Sequence, residues 1–211
     1  MHLDINSIGY GNITQEQLIR SREKMFLINL PQLPICPPPL NSSHHALGEL
    51  QYLASIQKEY EGSSFIDFVN RADSDLRSIY IGMMGRYGIN FGSYYDNLFD
   101  ELSTLVIRLK VTYNRMRPFQ LAGILGFPLY PMSSESAYSP SYPSGHTLQS
   151  YVVSEVISKQ YPFMSDVARE IANSISLSRE IGGWHFPSDN KFSIEIGKAI
   201  LPYIVRPSSE R

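Results

Sequence analysis

Tyr94-Tyr95-Asp96-Asn97-Leu98-Phe99-Asp100-Glu101-Leu102-Ser103-Thr104-Leu105-Val106-Ile107-Arg108-Leu109-Lys110-Val111-Thr112-Tyr113-Asn114-Arg115 is the stretch whose pattern decides the fold. Its apolar residues Leu98, Leu102, Leu105, Leu109 and Tyr113 recur at spacings of four, three, four and four. An α-helix completes a turn in about 3.6 residues, so these side chains share one face. Toward the C-terminus the pattern returns three times. Leu148, Val152, Val153, Val156 and Ile157 follow His146. Val167, Ile171 and Ile175 precede the break at Gly182-Gly183, and Phe192, Ile196, Ala199, Ile200 and Tyr203 make the last stripe. Strand-like alternation is scarce.

Toward the N-terminus, Ser63 or Ser64 opens a helical stretch that breaks near Asp73 and ends by Gly88. Asn41, Ser42 and Ser43 offer N-caps for a helix to about Tyr60. A proline-rich connector runs from Pro31 to Pro39. Before it, Thr14 with Gln17 forms a capping-box start for a helix through about Leu27. The expected fold is all-α, a single compact domain of about six to eight helices in which every apolar stripe is core.

The bulk properties bound the function. With 211 residues, 43% of them hydrophobic, one domain spanning 1–211 is the expectation. A net charge of -2 provides no broad basic field, so a nucleic-acid polymer is not an expected partner. The single cysteine, Cys36, cannot form an intrachain disulfide. No run approaches about 18 apolar residues, so no membrane span is expected. Met1 to Asn6 lacks the basic and apolar parts of an export signal, which points to the cytoplasm; an atypical or removed signal would mean the periplasm. Asn12-Ile13-Thr14 and Asn41-Ser42-Ser43 match a glycosylation pattern that means little without export. His2 is terminal, and His44 and His45 are adjacent where helical metal-ligand pairs prefer a spacing of four, so no metal or other cofactor is expected.

Three segments concentrate reactive residues. Lys110 is followed at seven residues by Arg117-Pro118, two helical turns on, so both cations can share a face. Pro118 disfavours helical geometry at Arg117, so the helix is expected to end there with Arg117 in its last turn. Pro143-Ser144-Gly145-His146-Thr147 then leads into a helix, where free N–H groups bind anions and glycine permits close approach. Last, Ser178-Arg179 is followed by His185 and, four residues later, Asp189. A carboxylate on one imidazole nitrogen fixes the tautomer and frees the other as a nucleophile. Asp189 also lies where a helix N-cap would. Alone, each segment fits a bland role: dipole complement, helix entry, cap. Together they supply three cations, backbone donors, two histidines and an orienting carboxylate, which phosphoryl transfer without a metal would need.

The pattern Lys-x6-Arg-Pro, Pro-Ser-Gly-His and Ser-Arg-x5-His-x3-Asp resembles the signature of the type 2 phosphatidic acid phosphatase (PAP2) superfamily. Lys110, Arg117-Pro118, Pro143 to His146, Ser178-Arg179, His185 and Asp189 match it at all eleven specified positions. The run Leu33-Pro34-Ile35-Cys36-Pro37-Pro38-Pro39, then Ser43 and Leu47 to Leu53, is similar to the entry of the soluble class A bacterial acid phosphatases. Tyr142 and Thr147 flanking the second motif are similar too. The chain departs from those relatives in lacking a visible export signal, in Trp184 where a tyrosine is expected, and in Phe186-Pro187-Ser188.

The resemblance implies an acid phosphatase that acts on small phosphorylated molecules, with its catalytic helical core at 94–204 and an N-terminal helix and connector at 1–40. It implies that His185 attacks phosphorus and Asp189 orients it. His146 would protonate the leaving alcohol and later activate water. Lys110, Arg117, Ser144, Gly145 and Arg179 would hold the phosphoryl oxygens. Tyr142 and Trp184, next to motif residues, are expected to line the pocket. Soluble relatives often associate, so a homo-oligomer is in view. The rivals are a vanadate-dependent haloperoxidase, a lipid-phosphate or diphosphate phosphatase, and a phosphate-binding protein without catalysis.

Overall fold

The computed structural model describes residues 4–11 and 13–205; His2 and Asn12 lie outside them. Among the described residues nine α-helices follow in order: α1 (Gln15–Arg20), α2 (His44–Tyr60), α3 (Phe65–Ser74), α4 (Leu76–Gly85), α5 (Gly92–Tyr113), α6 (Pro118–Leu125), α7 (Gly145–Gln160), α8 (Ser165–Ile181) and α9 (Pro187–Ile200). No strand forms among the described residues, only an isolated antiparallel bridge between Ile28 and Ile204. None of the helices among the described residues is long and apolar enough to cross a membrane.

The stripe on α5 does what its spacing requires: Leu98, Leu102 and Leu105 are fully buried. They meet α7, which packs on α5, α8 and α9 and is the middle of the fold. Leu148, Val152, Val153 and Ile157 of α7 have no exposed surface, so this helix is apolar on more than one side. Truncating one such leucine to alanine costs about 2–5 kcal/mol in a packed interior. A smaller cluster, Leu50, Leu53, Leu121, Leu129 and Phe186, joins α2 and α6 to the start of α9.

Three local expectations change. The capping box at Thr14 forms, with Gln17 N–H donating to Thr14 Oγ1 at 3.2 Å and Thr14 N–H to Gln17 Oε1 at 3.0 Å. Yet α1 stops at Arg20 rather than Leu27. The carboxylate of Glu101 accepts from the N–H groups of Phe26, Leu27 and Ile28 at 2.6–3.0 Å, and Leu27 and Asn29 pair with the backbone of Val205 and Tyr203. These partners draw the segment out of a helix. The break expected near Asp73 does form: α3 ends at Ser74, and Asp75 Oδ1 caps α4 through the Ser78 N–H at 3.0 Å. Helix α5 ends at Tyr113, where Asn114 turns left-handed at φ 44°. Arg117 is extended, as Pro118 requires, but it precedes α6 instead of closing α5. Helix α6 itself was not foreseen, although Pro at the first helical position is its start signal.

Candidate active site

The three motifs converge from α5, the loop before α6, the start of α7, the end of α8 and the start of α9. A cavity of about 270 Å³ is lined by Lys110, Arg117, Gly145, His146 and His185, with Ser136 and Ser139 from the intervening loop. Ser139 joins the first two cations: Lys110 Nζ donates to its Oγ at 2.9 Å, and Arg117 Nε to its carbonyl at 2.8 Å. The four-residue interruption between α5 and α6 therefore does not separate Lys110 from Arg117.

His185 is 2% exposed and held at both nitrogens. Nδ1 lies 3.2 Å from Asp189 Oδ2, and Nε2 lies 3.1 Å from Arg117 Nη1. A carboxylate can only accept and a guanidinium can only donate, so the proton sits on Nδ1 and the Nε2 lone pair accepts from Arg117. Arg117 is fixed by a second Nη1 bond, to the Trp184 carbonyl at 2.9 Å. Asp189 is in the first turn of α9, and its Oδ2 also accepts the Phe186 N–H at 2.9 Å. It is helix cap and imidazole partner at once.

Gly145 opens α7 directly against α5: a β-carbon there would stand 3.2 Å from Val106 Cγ1, which leaves little room for any side chain. The first N–H groups of α7 have no carbonyl one turn back to bond, so they point their dipoles toward the cavity end of the helix. The Ser144 side chain is engaged elsewhere, donating to Thr147 Oγ1 at 3.0 Å, while Thr147 donates to Asn190 Oδ1 at 2.7 Å. Arg179 is fully buried and bonded to Ser136, which lines the cavity. Its Nη2 bonds Asp73 Oδ1 at 2.7 Å and Ser136 Oγ at 3.0 Å, and its Nε and Nη1 have no partner among the described residues.

Tyr142 and Trp184 do not line the cavity. Tyr142 stacks on Phe192 at 4.5 Å and gives its hydroxyl proton to the Cys36 carbonyl at 2.7 Å. Trp184 lies under Arg179, 4.2 Å from guanidinium carbon to ring centroid, and donates to the Met132 carbonyl at 2.9 Å. The tight Gly182-Gly183 turn, with Gly183 at φ +69°, folds the indole back over Gly182. Trp184 thus supports a cation instead of touching the cavity.

The PAP2 superfamily model matches residues 98–210, more than half of the chain. The chain belongs to the PAP2 superfamily. Membership implies a hydrolase of phosphatase type. Among solved structures, the first bacterial vanadium-dependent iodoperoxidase is similar over all of this chain at 15% identity, with a TM-score of 0.71. The match covers 64% of that enzyme, so this chain spans about two thirds of its length, and the likeness is one of fold. A transmembrane PAP2-type phosphatidylglycerolphosphate phosphatase from Bacillus subtilis matches 75% of this chain and 93% of its own at 18% identity and a TM-score of 0.46. No curated protein matches the sequence.

Electrostatics in this PAP2 site follow from burying several cations together. Burial pushes the His185 pKa well below 6.5, and Arg117, Lys110 and Arg179 push it further. His146 is lowered by burial and then by Arg179, with Asp73 opposing. Lys110 is also driven well down, by burial and by Arg117. Burial lowers Arg117 and Arg179 to about 10, which leaves both charged at neutral pH. Burial alone would raise Asp73, but Arg179 and the bonds from Ser136 and Glu135 prevail and hold it at about 2. An oxyanion would relieve every one of these repulsions.

Sequence reasoning missed the groups behind the motifs. Arg115, 4% exposed, donates from Nη1 to Asp189 Oδ1 at 2.5 Å and from Nη2 to Glu49 Oε2 at 3.2 Å. Glu49 accepts from the Ser188 N–H at 2.6 Å, which ties α2 to the start of α9. Its signal was present: Glu49 falls on the same face as Ala46, Leu50, Leu53 and Ile56, and a carboxylate in an apolar stripe needs a partner. Asp73, beside Val69 and Ala72 on the inner face of α3, carried the same signal.

Proposed function

We propose that this protein hydrolyses phosphomonoesters of small organic molecules through a phosphohistidine on His185. The observation that carries this is the double tether of His185, Nδ1 to Asp189 and Nε2 to Arg117, at a cavity that also holds Lys110 and His146. Phosphoryl oxygens bonding to Lys110, Arg117, Arg179 and the N–H groups at Gly145 would take over the Arg117 donor and release the Nε2 lone pair. Nε2 then bonds phosphorus as the phosphorus–oxygen bond to the alcohol breaks. The His146 proton goes to the departing oxygen. In the second half, His146 takes a proton from water, the water oxygen bonds phosphorus, and phosphate leaves a neutral His185. The cations of the chain neutralise the phosphoryl charge, so no step calls for a metal ion. Ser144 serves as a support for the α7 entrance rather than through its hydroxyl.

Rapid acid quench with labelled substrate tests this. An acid-labile phosphoenzyme, absent in His185→Ala, is the expected result; turnover retained in His185→Ala would remove the nucleophile. Chelator should leave hydrolysis unchanged. Halide oxidation with vanadate and peroxide, in place of hydrolysis, would reassign the same cations to a haloperoxidase.

A further inference from the structure

A cation that no motif contains stands at the mouth of the same cavity. Arg20, the last residue of α1, lines it beside Ser103 and Ile107 of α5 and Gln149 of α7. It is partly exposed, whereas Arg117, His185 and Lys110 are 1%, 2% and 4% exposed, so Arg20 marks the solvent end. No aspartate or glutamate lines the cavity, and none of the ion pairs among the described residues includes Arg20.

The backbone on either side of Arg20 is nevertheless anchored. Gln17 Nε2 donates to the Tyr138 carbonyl at 2.9 Å, and Arg108 Nε donates to the Ser21 carbonyl at 2.9 Å. Gln149 cannot serve the same end, because its amide nitrogen is taken by Ser103 Oγ at 2.7 Å and the Phe99 carbonyl at 3.2 Å. The fold thus fixes where Arg20 begins, and no group among the described residues engages its guanidinium. In-line attack from His185, on the cavity floor, sends the leaving group away from the floor and toward that mouth.

We propose that Arg20 binds a second anionic group carried by the leaving alcohol. The preferred substrates are then phosphomonoesters whose alcohol bears a carboxylate or a further phosphate. This rests on the hydrolytic function proposed above and adds its substrate class. A guanidinium suits either anion, because its planar fork can donate two parallel bonds.

The test compares short alkyl phosphates of matched chain length, ending in methyl or in carboxylate. Wild-type protein should favour the carboxylate series in kcat/KM. Arg20→Gln should lower the carboxylate-to-methyl ratio about tenfold, mostly through KM, which corresponds to about 1.4 kcal/mol of lost binding. Arg20→Lys should recover part of it. A ratio unchanged by Arg20→Gln at every chain length, or no preference in the wild type, overturns the proposal. Calorimetry with the matching non-hydrolysable phosphonates measures the same ratio as affinities. If neither ester turns over, the hydrolytic function fails while the phosphonate ratio still decides the role of Arg20.

Discussion

Arg115 joins Glu49 to Asp189: one guanidinium, buried behind the partner of His185, holds two carboxylates from α2 and α9. Both carboxylates are buried, at 6% and 0% side-chain exposure. Arg115→Met should therefore destabilise the protein by about 3–5 kcal/mol, since it leaves buried charge without a partner. Urea unfolding would measure this. Glu49→Gln should be milder and, by loosening Arg115, lower kcat more than it raises KM. A Glu49→Gln protein with unchanged kcat would show that the tether to α2 does not affect Asp189.

His146 is expected to matter in proportion to how poorly the alcohol leaves. His146→Ala should slow hydrolysis of alkyl phosphates about 10²–10⁴-fold, the usual worth of a general acid. An aryl phosphate whose leaving group needs no proton should suffer far less in the first half-reaction, seen as a burst of phenolate. Equal losses for both esters in the burst phase would remove His146 as the acid.

Both histidines sit below their ordinary pKa, and this sets two pH effects. In the proposed mechanism His185 must be neutral to attack and His146 protonated to donate, so the profile of kcat/KM should be a bell. With burial and the neighbouring cations lowering both groups from 6.5, the bell lies on the acid side of 6.5. A maximum above neutrality would contradict this. For stability, the unfolded chain binds more protons than the folded one once pH falls toward 6.5, so the two histidines make the fold less stable as pH drops through that range. Asp73, held at about 2 against 3.8, contributes stability above about pH 4 that is lost as pH falls toward 2. Thermal melts from pH 8 to 4, an interval of about four units, would follow the histidine effect.

Phosphate should stabilise the protein well beyond any effect of ionic strength. At about 100 times its Kd, a ligand of the folded state alone adds about 2.7 kcal/mol. For a chain of this size that raises Tm by about 5–11 °C. Chloride at equal ionic strength should not reproduce the shift, and Arg117→Gln should reduce it. A melt insensitive to phosphate, vanadate and tungstate would remove the anion site.

What could be read in advance depended on how local its causes are. The α5 stripe and the Ser43 cap of α2 are settled by neighbours within a turn or two, and both form. The motif residues were legible because their spacing resembles a known signature. The end of α1 was not, because Glu101, 73 to 75 residues away, takes the amides that a longer helix would have used. Arg115 was hidden for a related reason. It lies two residues before Arg117 in a loop without periodicity, and only its partners on α2 and α9 give it meaning. Tyr142 and Trp184 adjoin motif residues in sequence, but their rings turn into packing against Phe192 and Arg179. Adjacency along the chain does not imply a shared cavity.

One oxygen, Asp189 Oδ2, accepts from both the His185 ring and the Phe186 amide. A substitution that removes that oxygen is expected to loosen the His185 ring and the start of α9 together. An inactive control made at position 189 would report misfolding as readily as lost catalysis, and selection acting on either property would fix the same residue. His185 is separable from the scaffold in a way its partner is not, which makes it the position at which to build a folded, anion-binding, non-turning protein for trapping a natural substrate.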